Sequence, residues 1–298
     1  MDLKFGTDGF RGPVENVITP EACLKIGHAT GTVMKELGWN TAVIGKDTRI
    51  SGYMLESALQ AGFIAAGINV RLLGPLPTPG VAYLTKTLRK QFGVVISASH
   101  NDFLDNGIKI FNEDGEKISR DIEKRIEKYL KSKLLPVETP KIGKAYRFDE
   151  SGPRYVEFCK STVPSDISFS SLRIVIDCAN GACYKVSPEI FKELGAEVII
   201  IGNKPDGYNI NQDCGSTNPQ IIKDAVIKHR ADYGISLDGD GDRVIIVDEK
   251  GNILDGDDLL YILAFSNPKR TGQWSGVVGT IMSNIGLEQS IQKLVINL

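Results

Sequence analysis

The clearest candidate for chemistry is the run Asp-Gly-Asp-Gly-Asp-Arg at positions 238–243. Apolar residues 233–237 precede it and β-branched residues 244–247 follow, so we expect a turn between two strands. The glycines let the backbone bend until the three carboxylates converge. Two carboxylates about 4 Å apart repel by about 4 kcal/mol at an effective dielectric constant of about 20, so convergence requires a cation. Oxygen-only ligands indicate a hard ion, Mg²⁺ or Ca²⁺.

A calcium-binding EF-hand loop is the concrete alternative at this turn. The three aspartates and Glu249 would occupy its first, third, fifth and twelfth positions. The sixth position, however, is Arg243 where that loop requires glycine, and the flanking segments are β-branched and not helical. Mg²⁺ is therefore favoured, with coordination positions left for water or a phosphate oxygen and Arg243 suited to bind that phosphate. An exposed turn that binds nothing is the remaining alternative.

A second candidate site follows the buried apolar run that ends at Ile96. The segment 97–101 reads Ser-Ala-Ser-His-Asn, and α/β proteins place nucleophiles at the carboxyl ends of strands. Of its serines, Ser99 is favoured because it precedes His100, and Lys109 adds a cation a few residues on. A third candidate is the glycine-rich segment 5–12, whose Arg11 could help to hold a phosphate.

The remaining histidines and a further acidic run are assigned structural roles. His28 lies inside a predicted helix over 20–37, and His229 lies in the basic last turn of a predicted helix over 219–229. Asp255 begins an Asp-Gly-Asp-Asp run before an apolar pair, which is typical of a helix N-cap.

Repeated strand–helix–strand units position these loops. The first unit comprises a strand at 41–45, a polar turn at 46–49, a helix at 52–66 and a strand at 68–73. The second comprises a strand at 172–176, a turn at 177–181, a helix at 188–194 and a strand at 196–201. Short apolar strands alternating with helices predict the α/β class, with consecutive domains of mixed, mostly parallel sheets covered by helices.

A third unit begins in the same way and stops. A predicted strand at 276–280 leads to a helix at 287–294, with no second strand after it. Half a unit leaves a sheet face without a partner, so we expect a C-terminal truncation, the alternative being a helix that docks on the second domain. With a linker at 131–144, the expected domains are 1–140, 150–250 and an incomplete third over 251–298, without a fourth.

Composition excludes several classes of function. The 35 Lys and Arg residues against 37 Asp and Glu residues give a net charge of −2, which provides no basic excess for nucleic acid. No apolar run approaches the roughly 20 residues that span a bilayer, and residues 1–8 contain no signal-peptide core. The five cysteines never form a Cys-x-x-Cys pair, so we expect reduced thiols and a cytoplasmic protein.

Four motifs in this order resemble the α-D-phosphohexomutase family, and together they are highly specific. They are the segments 6–12, 97–101, 106–109 and 238–243. The stretches 177–182 and 209–217 are most similar to the bacterial branch that acts on glucosamine phosphates, and less similar to those that act on mannose or glucose phosphates. The resemblance extends from residue 5 to about residue 294.

The resemblance implies an isomerase that transfers phosphate through a phosphoserine. It implies Mg²⁺ ligands at Ser99, Asp238, Asp240 and Asp242. It implies catalytic groups at Ser99, His100, Lys109 and Arg11, and phosphate-binding groups at Arg243, Arg11 and Lys109. Phosphorylation of Ser99 would activate the enzyme. Glucosamine 6-phosphate would become glucosamine 1-phosphate through a bisphosphate, for UDP-N-acetylglucosamine synthesis.

Two departures from the family pattern bear on activity. Asp102 stands where the family usually has proline, which adds a negative charge near Ser99 and is expected to slow its phosphorylation. The family's third and fourth domains, which bind the sugar and the second phosphate, have no complete counterpart, so we expect poor activity from this chain alone. Three alternative functions stay open: a phosphomannomutase or phosphoglucomutase specificity, a Mg²⁺-dependent phosphatase with an aspartate nucleophile, and a non-catalytic Mg²⁺-binding fragment. Assembly into a homo-oligomer also stays open.

Overall fold

Runs of buried apolar residues form two sheets in the computed structural model, which describes residues 3–89, 91–271 and 276–296. The strands of the first sheet are β1 (Phe10–Pro13), β2 (Thr41–Lys46), β3 (Asn69–Pro75), β4 (Phe92–Ile96), β5 (Asp105–Phe111) and β6 (Ala145–Arg147). Their order is β1-β5-β4-β2-β3-β6. The β2, β3, β4 and β6 strands are parallel, whereas β5 is antiparallel to both β4 and β1.

Helices cover both faces of this sheet. They are α1 (Pro20–Glu36), α2 (Ser51–Ala65), α3 (Thr78–Thr87), α4 (Arg120–Leu130) and α5 (Ser151–Ser161). Side chains of α1, α2 and α4 pack in the larger core cluster, and those of α3 and α5 pack in the cluster on the opposite face. Because both faces are covered, the central strands β2 and β4 are buried throughout their length and mostly apolar.

The second sheet repeats this arrangement with fewer elements. Its strands are β7 (Arg173–Asp177), β8 (Glu197–Ile201), β9 (Tyr233–Leu237), β10 (Val244–Asp248) and β11 (Ile253–Leu254), in the order β11-β10-β9-β7-β8. The β7, β8 and β9 strands are parallel, and β10 returns antiparallel to β9. The flanking helices are α6 (Val186–Glu193) and α7 (Pro219–His229).

The α/β class and the first two predicted units are confirmed. The predicted strand, helix and strand of the first unit are β2, α2 and β3, and those of the second unit are β7, α6 and β8, with ends shifted by one to a few residues. His28 lies in α1, where its Nε2 is 2.8 Å from the Leu135 carbonyl oxygen, and His229 ends α7. The structural roles assigned to both histidines therefore agree with their places in the fold.

The strand predicted at 276–280 is wrong. These residues have no regular secondary structure, and Val278 is 91% exposed. An extended segment is a stable strand only when a neighbour supplies backbone hydrogen bonds, and the described residues supply none to this one in a sheet. The helix that follows is present as α9 (Ile285–Ile296), and it packs against α8 (Gly256–Thr271). Asp255 caps α8 as predicted, with its Oδ1 accepting from the N–H groups of Asp257 and Asp258.

Several features connect or extend the two sheets. The segment 131–144, predicted as a linker, contains a short 3₁₀ turn, Thr139–Lys141, and leads into β6, which pairs with β3. Helices α5 and α6 pack against each other, so that Val186 joins a core cluster of the first sheet.

All five cysteines are free thiols. No helix within the described residues is long and apolar enough to cross a membrane.

Candidate functional site

Loops from the two sheets meet at the carboxyl ends of their strands. The loop after β4 carries Ser99, and the turn between β9 and β10 carries Asp238 and Asp240. All three side chains are buried, and the Ser99 hydroxyl donates a hydrogen bond to Asp238 Oδ2 over 2.5 Å. The structure thus brings together the two strongest motifs, which lie 139 residues apart in the sequence.

The turn at 238–243 holds its carboxylates close to one another. One ligand oxygen from each of Asp238, Asp240 and Asp242 lies within 4.8 Å of the others. Asp238 Oδ1 accepts hydrogen bonds from the backbone N–H groups of Asp242 and Arg243, each over 3.1 Å, which closes the turn. Among the described residues, no group donates a hydrogen bond to the buried Oδ1 of Asp240. An unpaired buried carboxylate oxygen is costly unless a cation binds it.

The electrostatics of this turn also favour a cation. Burial, followed by the neighbouring Asp240 carboxylate, raises the pKa of Asp238 to about 6, against the lowering effect of the Ser99 hydroxyl. Closely spaced carboxylates resist ionising together, and a divalent cation relieves that repulsion. Oxygen donors, a buried unpaired oxygen and crowded negative charge together fit Mg²⁺.

Lys109, on β5, contacts the turn at 238–243, which we call the acidic turn. Its Nζ lies 2.8 Å from Asp240 Oδ2, 3.1 Å from Asp242 Oδ2 and 3.0 Å from Asp8 Oδ2. Burial alone would lower the pKa of Lys109, but the three carboxylates outweigh that effect and raise the pKa above its usual value. Lys109 is therefore a permanent positive charge beside the acidic turn.

The backbone around Ser99 is unusual. Ser99 has a φ of 52°, in the left-handed region that non-glycine residues seldom occupy. Its N–H donates a hydrogen bond to Ser97 Oγ over 2.9 Å, so the Ser97 side chain stabilises the loop. Such a conformation persists only where the surroundings hold it, and it is common at functional sites.

Arg49 also supports this loop, and it was not predicted as a site residue. Its guanidinium is fully buried and donates to the carbonyl oxygens of Ser99 over 3.2 Å and Asn101 over 2.6 Å, while its Nε donates to that of Asp102 over 3.2 Å. It is also ion-paired with the buried Asp47 carboxylate. A charged pair directly after a buried strand was the available signal.

Asn211, in the half that contains the second sheet, binds the same loop. The Asn211 amide donates to the carbonyl oxygens of Ser99 over 3.0 Å and of Asn101 over 2.9 Å. Gly239 makes the close approach possible, because a Cβ at that position would lie 2.6 Å from the Ser99 carbonyl oxygen. Asn211 belongs to a stretch that carried the family resemblance, but nothing in its type or spacing indicated this contact.

The other predicted phosphate-binding groups surround the serine loop. Arg11, on β1, donates to the Ala98 carbonyl oxygen and, over 2.5 Å, to Asn101 Oδ1. Desolvation, and then the positive charges of Arg243 and Arg11, lower the pKa of His100. The Arg243 side chain is exposed at the end of the acidic turn. Arg11 and Arg243 therefore place positive charge around the serine loop, whereas the lowered pKa favours a neutral imidazole at His100.

Asp102 has a local structural role in this loop. Its side chain is exposed and accepts a hydrogen bond from the Leu104 N–H over 3.0 Å. The carboxylate thus stabilises the turn that leads into β5.

Two family models match most of the chain. The model for phosphoglucomutase/phosphomannomutase alpha/beta/alpha domain I matches residues 2–135, and the model for domain II matches residues 153–251. The chain belongs to this family. The predicted resemblance to the phosphohexomutases is therefore confirmed.

Relatives of this phosphohexomutase chain agree with that assignment. It is 57% identical over 291 residues to a phosphoglucosamine mutase from Legionella pneumophila, and this match covers 97% of the chain and 64% of that protein. It is 55% identical to a phosphoglucosamine mutase from Pseudoalteromonas atlantica, covering 97% of the chain and 65% of that protein. A solved phosphoglucomutase/phosphomannomutase family protein from Burkholderia thailandensis has a TM-score of 0.82 at 25% identity, covering 97% of the chain and 64% of that structure. The chain thus spans slightly less than two thirds of each of these three relatives.

Proposed function

We propose that this chain carries out the phosphoryl-transfer chemistry of a phosphoglucosamine mutase. It would interconvert glucosamine 6-phosphate and glucosamine 1-phosphate through a phosphoserine and a bisphosphate intermediate. The observation that carries the proposal is the hydrogen bond from the buried Ser99 hydroxyl to Asp238 within the cluster of three aspartates. A nucleophile beside a divalent-cation site is the arrangement that phosphoryl transfer uses.

In the proposed cycle, Ser99 exchanges its phosphoryl group with the sugar. A free hydroxyl of the sugar phosphate attacks phosphorus, the bond between phosphorus and Ser99 Oγ breaks, and the proton of the sugar hydroxyl ends on Ser99 Oγ. The product is the sugar bisphosphate and an unmodified serine. The reverse transfer from the other position of the bisphosphate regenerates phosphoserine and releases the isomeric monophosphate.

The chain's own residues would position and neutralise the transferred group. Arg49 and Asn211 both donate to the Ser99 carbonyl oxygen, and Lys109 keeps a permanent positive charge beside the acidic turn. Arg11, His100 and Arg243 would bind the phosphoryl oxygens. Mg²⁺ on Asp238, Asp240, Asp242 and Ser99 would neutralise the charge of those oxygens. Positioning and charge neutralisation account for most catalysis of phosphoryl transfer.

The glucosamine specificity rests on the relatives. The two described above are phosphoglucosamine mutases at 57% and 55% identity, which favours glucosamine phosphates over mannose or glucose phosphates. We further propose activation by phosphorylation of Ser99 and a cytoplasmic location. The proposed domain boundaries remain 1–140, 150–250 and 251–298. The family-model matches support the first two of these domains.

A single-turnover experiment tests the proposed function. The chain is loaded with phosphate from glucosamine 1,6-bisphosphate in the presence of Mg²⁺, separated from the sugar, and mixed with glucosamine 6-phosphate. We expect the protein to lose phosphate, and the bisphosphate to appear, faster with the sugar phosphate than in buffer alone. Intact-protein mass spectrometry follows the protein, and chromatography follows the sugar. Loss of phosphate to water at one rate, with or without sugar, would instead indicate a phosphatase.

Asp240→Asn should weaken Mg²⁺ binding by about a hundredfold, or about 2.8 kcal/mol. The substitution removes one of three carboxylates, and divalent-cation affinity depends on the charge and number of such ligands. Titration calorimetry with MgCl₂ measures the dissociation constant. Asp248→Asn is the matched control, because it removes the same charge from an aspartate whose carboxylate accepts hydrogen bonds from Lys250 N–H and Asn252 outside the acidic turn. Equal Mg²⁺ affinity in the two variants would exclude the acidic turn as the metal site.

A further inference from the structure

The two carboxylate oxygens of Asp240 have different surroundings. Oδ2 accepts a hydrogen bond from the Thr78 hydroxyl and, over 2.8 Å, one from the ammonium group of Lys109. Oδ1 is buried and receives no hydrogen bond from the described residues, and Asp240 as a whole is only 1% exposed. One oxygen is therefore occupied by donors, whereas the other is left for a cation.

Thr78 makes this contact from the opposite half of the molecule. It is the first residue of α3, on the first sheet, whereas Asp240 follows β9 of the second sheet. Its backbone N–H donates to the Asp240 carbonyl oxygen over 2.8 Å, in addition to the bond from its hydroxyl. The main-chain bond fixes the backbone of Asp240 relative to Thr78, and the hydroxyl bond then fixes the orientation of the Asp240 carboxylate.

The number of oxygens that a carboxylate can offer discriminates between cations. Ca²⁺ takes six to eight oxygen ligands at about 2.3–2.6 Å and accepts carboxylates that bind through both oxygens. Mg²⁺ requires near-octahedral geometry at about 2.0–2.1 Å and uses few protein ligands. A carboxylate with one oxygen already engaged by two donors therefore suits Mg²⁺ better than Ca²⁺.

We propose that Thr78 is a positioning residue that restricts Asp240 to ligation through Oδ1 and thereby makes the acidic turn selective for Mg²⁺ over Ca²⁺. This inference rests on the proposed function, because it assumes the acidic turn as the metal site. Thr78 does not contact the cation; it acts through Asp240. Lys109 donates to the same oxygen but is shared with the carboxylates of Asp8 and Asp242. Thr78 instead bonds Asp240 through both its N–H and its hydroxyl, which fixes the carboxylate relative to the Asp240 backbone.

Thr78→Val removes the hydroxyl, keeps the shape of the side chain and keeps the main-chain bond to Asp240. We expect Mg²⁺ affinity to fall by about ten- to a hundredfold, the usual effect of removing a group that orients a metal ligand. Ca²⁺ affinity should fall much less, so that the ratio of the two dissociation constants narrows by about tenfold or more. Thr78→Ser, which retains a hydroxyl, should keep both values. Calorimetric titrations of the full chain with MgCl₂ and with CaCl₂ measure them without reference to catalysis.

Thr85→Val is the matched control. Thr85 is a fully buried threonine on the same helix, and its hydroxyl donates to the Val81 carbonyl oxygen over 2.8 Å. It should leave both affinities unchanged. Thr78→Ala serves as a second hydroxyl-free variant should Thr78→Val fail to fold, which circular dichroism shows.

The outcomes separate this inference from the proposed function. Unchanged selectivity in Thr78→Val, or an equal loss of affinity for both cations, overturns the role of Thr78 while the metal site stands. Loss of selectivity in Thr78→Ser as well as in Thr78→Val also overturns it, because the hydroxyl would then not be the deciding group. An unsubstituted chain that binds neither cation contradicts the proposed function itself.

Discussion

We expect the Ser99→Ala variant to take up no covalent phosphate from glucosamine 1,6-bisphosphate, whereas the unsubstituted chain becomes phosphorylated. The Ser99 hydroxyl lies 2.5 Å from Asp238 Oδ2, beside the proposed Mg²⁺ ligands and Lys109. Removing it deletes the nucleophile and leaves the positive groups in place. Intact-protein mass spectrometry after incubation with MgCl₂ and the bisphosphate measures the uptake, and peptide mapping locates it.

Ser97→Ala is the most demanding control for this experiment. Ser97 is the other serine of the loop, but its hydroxyl accepts from the Ser99 N–H over 2.9 Å and so supports the loop. Without that acceptor, a buried N–H stays unpaired at a cost of about 1–3 kcal/mol, so we expect slower uptake that still reaches Ser99. Phosphate found on Ser97, or on an aspartate of the Ser99→Ala variant, would contradict the assignment of the nucleophile.

The predictable parts of the fold are the helices and strands that depend mainly on residues adjacent in the sequence. Buried apolar runs and helical spacing identified β2, α2 and β3, and then β7, α6 and β8, because each element is determined mainly by its own sequence. The same reasoning failed at 276–280, where an apolar run resembles a strand but no neighbouring strand in the described residues pairs with it. Pairing is a property of the whole sheet, and a local pattern contains no information about it.

The residues of the site also divide into those that the sequence predicted and those that it did not. Ser99 and the aspartates carry their chemistry in their residue types, so the motifs alone selected them. Thr78 and Asn211 contact their partners across 162 and 112 residues of sequence, and both offer ordinary hydrogen-bonding groups. Only the arrangement of the two sheets brings such groups to the site. The sequence therefore predicts the reacting groups, and the structure adds those that orient them.

Arg49→Met should lower the free energy of unfolding of the half that contains the first sheet by about 3–5 kcal/mol. Arg49 is fully buried and ion-paired with Asp47, which is 1% exposed, so methionine fills the space but leaves a buried carboxylate without its cation. The carbonyl oxygens of Ser99 and Asn101 also lose a donor. Urea denaturation followed by circular dichroism measures the change.

The loss should depend on pH and on Asp47. Burial raises the pKa of the Asp47 carboxyl, and removing Arg49 raises it further, because the nearby guanidinium lowers it. An acid whose pKa is higher in the folded state destabilises the fold above that pKa, so the deficit of Arg49→Met should shrink as the pH falls through it. The double variant Asp47→Asn/Arg49→Met has no buried carboxylate at this position and should recover part of the stability at neutral pH. A deficit that is independent of pH and unchanged in the double variant would show that Arg49 stabilises the serine loop only through its bonds to the backbone carbonyls.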